Sequence, residues 1–107
     1  MTDKIVIFVT VGNSKDAALL AKSLVEKRLA ACVNLVPGIA SWYWWEGKVT
    51  EDHEVLLMMK TSRDQFAALE KEVLRVHSYA VPEVIALPIV EGSKNYLNWI
   101  EESLKVE

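Results

Sequence analysis

A single cysteine, Cys32, is present in 107 residues, so no disulfide can form within the chain. The lone thiol fits a reducing compartment, and the cytoplasm is the expected location. Glycine and proline are scarce, at four and three. The chain has no glycine-rich phosphate loop, linker, repeat or low-complexity segment, and residues 1–107 are expected to form one domain. Basic residues are outnumbered, twelve Lys and Arg against fifteen Asp and Glu, and they form no stripe. That balance argues against nucleic acid as a partner, because binding to phosphate backbones needs clustered positive charge. The opening apolar run, Ile5 to Val11, falls far short of the ~20 residues that cross a bilayer. It lacks a small-residue cleavage pattern, so neither a membrane span nor a signal peptide is expected. There is no CxxC, no HxxxH and no nucleophile elbow.

What the chain does hold is apolar surface. Half its residues, 51%, are hydrophobic, four are Trp, and the mean hydropathy is +0.15. A domain of this size buries only about two-thirds of the surface its unfolded chain exposes. Self-association is one way to bury the excess.

The β-branched and aromatic run Ile5–Val11 predicts a buried central strand. Gly12 breaks it, and Asn13 or Ser14 can cap a following helix. That helix carries Ala17, Leu20, Ala21, Leu24 and Val25 on one face. Ala31–Val36 reads as strand again, Pro37-Gly38 as a bend or bulge, and Ile39–Trp45 as its continuation. Glu46-Gly47-Lys48 predicts a hairpin turn, with a return strand from Val49 to Lys60. Ser62 and Gln65 have capping-box spacing ahead of a helical stripe of Phe66, Leu69, Val73 and Val76. After a loop from His77 to Pro82, Val84–Val90 is the last predicted strand, with Pro88 at an edge or bulge. A final helix follows Gly92-Ser93 and turns Tyr96, Leu97, Ile100 and Leu104 inward. The order β-α-β-β-α-β-α predicts an α+β, ferredoxin-like βαββαβ sandwich with an extra C-terminal helix and a long central hairpin.

The tip of that hairpin is Ser41-Trp42-Tyr43-Trp44-Trp45. Strand alternation sends Trp42 and Trp44 to one face, Tyr43 and Trp45 to the other. Four adjacent aromatics either fold back on the domain or form an exposed patch of the kind that marks an interface. A symmetric self-association would cover both the tip and the helix-free face of the sheet.

Candidate chemistry is sparse. Cys32 sits mid-strand, where a small core residue is the plain alternative to a metal ligand. His53, near the turn, reads as a solvated edge. His77 leaves a helix and is either a favourable C-terminal imidazole or a ligand. One Cys and one His per chain, meeting across a subunit contact, can make a soft copper site that one chain cannot. Lys60, Tyr79 and Glu83 stand at strand ends or in a loop, and can contact a small ligand in an inter-subunit crevice or serve structurally as an ion pair.

Several blocks together resemble one family. Leu24-Val25-Glu26-Lys27-Arg28-Leu29-Ala30-Ala31-Cys32-Val33-Asn34 is similar to the signature of CutA, the divalent-cation tolerance proteins. Further matching blocks are Pro37-Gly38-Ile39-Ala40-Ser41 with Tyr43–Lys48, Glu54–Thr61, His77–Glu83 and Gly92–Trp99. They cover nearly the whole chain in order. The resemblance implies a tight homotrimer whose hairpins pack around a three-fold axis, a link to copper tolerance, and no firm catalytic activity. It also implies an architectural likeness to PII signalling trimers, with small organic ligands in the clefts. Cys32 matches the signature cysteine and His77 the histidine before the tyrosine block. Thr10 stands where some bacterial members carry a further cysteine, Val76 where some carry a second histidine, and Ser78 in place of the usual proline. Three functions follow as expectations. The first is a non-catalytic homotrimer binding copper or another divalent metal through Cys32 and His77. The second is a PII-like sensor using Lys60, Tyr79 and Glu83. The third is an enzyme with His77 as general base, for which no partner residue is readable.

Overall fold

The computed structural model describes residues 2–106. Its elements run β1 (Lys4–Val11), α1 (Ser14–Glu26), β2 (Cys32–Trp45), β3 (Lys48–Ser62), a 3-10 turn (Arg63–Gln65), α2 (Phe66–Val76), β4 (Val84–Pro88) and α3 (Lys94–Leu104). The four strands form one antiparallel sheet in the order β2-β3-β1-β4. β1 is therefore central, as its continuous apolar run requires, and β2 and β4 are edges.

Alternation decides which side chains are buried. Ile5, Ile7, Val9 and Val11 of β1 and Val55, Leu57 and Met59 of β3 point to one face. There they meet Ala17, Leu20 and Leu24 of α1 and Leu69 and Val73 of α2 in the main core. α3 packs on the opposite face, at one end of the sheet. Ile100 and Leu104 form a separate cluster with Ala31, and Lys4 Nζ bonds to Glu101 at 2.6 Å. The rest of that face has less cover: Ile85 and Leu87 are exposed, and Val6, Phe8, Leu56 and Met58 are half-buried.

Local signals account for most junctions. Asn13 caps α1, its side chain accepting from the Asp16 amide at 2.9 Å. Pro37-Gly38 is a β-bulge, where the register slips between Val36 and Ile39 and Gly38 takes φ +74°. Glu46 and Gly47 both have positive φ, +50° and +77°, between the paired Trp45 and Lys48, which is the primed two-residue hairpin turn.

The structure departs from expectation in four places. Ser62 makes no capping bond, because a 3-10 turn intervenes before α2, and its Oγ is buried without a partner among the described residues. Val25, Val76 and Tyr96 are exposed rather than inward, because each lies at the margin of a helical stripe wider than the surface it covers. β4 ends at Pro88, two residues early, although the Ile89 amide still donates to the Lys4 carbonyl of β1 at 3.0 Å. β2 is one continuous strand of 14 residues and β3 one of 15, longer than the segments read from the sequence.

Candidate functional site

β2 and β3 together carry the chain well past the core and end in the aromatic tip. After the bulge, Ile39, Ser41, Tyr43 and Trp45 pair with Glu54, Asp52, Thr50 and Lys48, so these residues share one face. Trp42 and Trp44 take the other, as alternation predicts. Trp42 is 63% and Trp44 74% exposed.

Between the tip, the start of the sheet's Glu54 row and the loop before β4 lies a cavity of about 610 Å³. The tip residues Ser41–Trp45 form one wall, and Tyr79, Ala80, Val81 and Glu83 of the loop form another. The strong twist of a two-stranded ribbon lets residues of both its faces reach the same space. Thr10 and Glu54 complete the lining, which contains no lysine, arginine or histidine.

Tyr79 organises this region. Its hydroxyl donates to Glu54 Oε2 at 2.8 Å. Gly12 leaves room for it, since a Cβ there would stand 3.3 Å from the phenol oxygen. Burial, and then the bond to Glu54, push the Tyr79 phenol well above its usual range, so it stays protonated as a donor. Glu54 is only 6% exposed. Burial, followed by the charge of Glu54, raises Glu83 above the ordinary carboxylate range. At the tip the Tyr43 hydroxyl donates to Asp52.

His77 lies beside this site but does not open into the cavity. The Tyr79 amide donates to Nδ1 at 3.1 Å, so Nε2 carries the hydrogen and donates to the Thr10 carbonyl at 2.7 Å. The His77 and Tyr79 rings are tilted together with centroids 4.6 Å apart. Both imidazole nitrogens are thus engaged in fixing the loop to β1.

The other candidates sit elsewhere. Cys32 opens edge strand β2, pairs with Lys60, and is half-buried between Asn34, 3.8 Å from its Sγ, and Tyr96 of α3. The Lys60 ammonium bonds to the Asn34 side chain. Register puts Lys60 level with Val6 but His77 level with Thr10, four residues and roughly 13 Å further along β1 at ~3.3 Å per residue. Tyr79 and Glu83 are therefore brought together. Lys60 is not among them, and Cys32 and His77 of one chain do not meet. Among the described residues no three His, Cys, Asp or Glu side chains form a group able to hold a metal ion. Nor is any helix among them long and apolar enough to cross a membrane. Sequence reasoning missed Glu54 as a site residue. It closes the charged run Glu51-Asp52-His53-Glu54, which reads as a solvated edge, although alternation against Val55 already set it on the face opposite the core.

Residues 5–103 match the family model described as CutA1 divalent ion tolerance protein. The divalent-cation tolerance protein CutA of Thermus thermophilus is 50% identical over 98 residues, covering 92% of this chain and 95% of that protein. Its solved structure superposes with a TM-score of 0.91 over 94% of this chain and 97% of that one. Protein CutA 1 of Oryza sativa, named chloroplastic, is 52% identical over 101 residues, covering 94% of this chain and 57% of that protein. The crystal structure of rice CutA1 gives a TM-score of 0.93 at 50% identity, covering 97% of this chain and 95% of that one. Human protein CutA is 53% identical over 95 residues, 89% of this chain and 53% of that protein. The chain thus spans somewhat more than half the length of the plant and mammalian relatives it matches. With a match that runs from the first strand to the last helix, the chain belongs to the CutA1 divalent ion tolerance family.

Proposed function

We propose that the chain is a non-catalytic, homotrimeric divalent-cation tolerance protein, a ferredoxin-like sandwich extended by α3, whose cargo is a divalent metal ion, copper foremost. The observation that carries this reading is the match of residues 5–103 to a family described by divalent ion tolerance. Assembly is supported by three exposed features: the unpaired outer edge of the long strand β2, the tryptophans of the tip, and the half-covered sheet face around Ile85 and Leu87.

The donors of one chain do not fit copper, because Cys32 and His77 are apart and both nitrogens of His77 are taken. In the proposed assembly Cys32, on the edge strand β2, supplies the soft donor and His77 of another copy supplies the imidazole. His77 would have to release the Tyr79 amide to use Nδ1, which favours weak or transient binding. The PII-like sensor gains no support from the family match or the related structures.

Native mass spectrometry with Cu²⁺ and then Zn²⁺ tests this. A trimer that takes up a fixed number of copper ions, and loses uptake in Cys32→Ala and in His77→Ala, is the expected result. Copper uptake unchanged in both variants would remove these two ligands from consideration. A monomer would remove the assembly.

A further inference from the structure

We infer that Lys60 of one copy forms an ion pair with Glu54 of the next, and that this pair sets how one copy's sheet face meets its neighbour. The inference rests on the assembly in the proposed function and not on its copper ligands. Glu54, Leu56, Met58 and Lys60 are alternate residues of β3, on the sheet face opposite the main core. The row thus has an acid at one end, a base at the other and two half-buried apolar side chains between them. Roughly 20 Å of strand, at ~3.3 Å per residue, separates the two charges, so they do not meet within one chain.

Each end is incomplete by itself. Glu54 is only 6% exposed, yet among the described residues it receives one side-chain hydrogen bond, from the neutral Tyr79 hydroxyl, and no ion pair. A buried charge left so is costly, and such groups are normally paired. Lys60 is half-buried and has only the neutral Asn34 amide as partner. Other cations are committed or misplaced. Lys4, Lys27, Arg75 and Lys105 already have carboxylate partners. Lys48 shares the row but stands exposed at the turn, where water serves it. Head-to-tail contacts in a closed ring join unlike surfaces, here the basic end of one copy to the acidic end of the next. Repetition round the ring leaves neither charge over. A small cation at Glu54 would leave the Lys60 ammonium without a counter-charge, whereas a second copy supplies both partners.

Sedimentation velocity over a dilution series of the intact chain, with EDTA and moderate urea present, tests this without metal. Lys60→Met and Glu54→Gln are each expected to raise the protomer concentration at half dissociation by about tenfold, and the double variant by no more than about threefold beyond either. Lys60→Arg, which keeps the charge, is expected to stay within about threefold of the wild type. Glutamine at 54 still accepts from Tyr79, and far-UV circular dichroism verifies the fold. Should Glu54→Gln not fold, the contrast between Lys60→Met and Lys60→Arg decides alone. Losses that multiply in the double variant, or a Lys60→Met assembly as tight as the wild type, would overturn the ion pair and leave the assembly standing. A wild-type chain that is monomeric at every concentration would overturn both.

Discussion

Strand β3 passes through two environments. From Val55 to Ser62 it lies second in the sheet beneath two helices, and Leu57 and Met59 have no exposed surface at all. From Lys48 to His53 it is half of a bare ribbon, paired only with β2, and Val49 is 60% exposed. The base half is laddered on both sides, to β1 and to β2, and the tip half to β2 alone. The two halves differ as well in what lies on the faces. In the base, alternate residues are covered by α1 and α2 and the strand is an element of the core. In the tip both faces are aromatic and largely open, which frees that half of the strand to build a cavity and a contact surface. One continuous strand thus links a stability-bearing region to a region whose sequence answers to recognition.

Truncation at the two ends of β3 gives the largest contrast. Leu57→Ala opens a void in the core and is expected to lower the unfolding free energy by about 2–5 kcal/mol. Val49→Ala, on the same strand, is expected to change it by less than about 0.5 kcal/mol. Urea titrations of the two variants measure this directly, and equal losses would mean that the tip is as tightly packed as the base. Next in size is Gly47→Ala at the turn. No atom lies within 4 Å of the added Cβ, so the expected cost of about 1 kcal/mol is conformational, arising from φ +77°. Glu46→Asn should do the reverse by a few tenths of a kcal/mol, since asparagine accepts positive φ more readily.

The base was more legible in the sequence than the tip. A β-branched run marks β1, a dense apolar run marks the buried half of β3, and Asn13 marks a helix start, because each is a local signal with a local cause; at the tip only the turn, Glu46-Gly47, is as local. Helical spacing gives the direction of a face but not its width, which is why Val25, Val76 and Tyr96 point inward on paper and outward in the fold. The site is less local. Nothing in the spacing of Glu54, Tyr79 and Glu83 says that they meet. That depends on β1 lying between β3 and β4, and on Tyr79 reaching over Gly12. The same register separates Lys60 from the cavity and Cys32 from His77.

Acid should also act differently on the two regions. Over the base, one carboxylate oxygen of Glu72 in α2 accepts from Arg75 at 2.7 Å and from Lys27, at the end of α1, at 2.8 Å. The Arg75 guanidinium first, and then the Lys27 ammonium, hold its carboxyl down at about 2. A depressed folded-state value means stability that is present above the ordinary carboxylate range and lost as pH falls toward 2. Glu72→Gln is expected to remove that loss, flattening the thermal midpoint between about pH 4.5 and pH 2.

At the tip the sign reverses, with a smaller effect. Glu83 has no cation beside it in the cavity lining, and burial together with Glu54 raises its folded-state value above that of the unfolded chain. The folded protein therefore takes up this proton more readily than the unfolded one. The penalty for holding Glu83 charged is full above the raised value and relieved as pH falls through it. Glu83→Gln should accordingly raise the thermal midpoint slightly at neutral pH, and the gain should vanish below the unfolded carboxylate range. A gain that persists at low pH would show that Glu83 destabilises through its packing rather than its charge, and would leave the contrast between base and tip to side-chain burial alone.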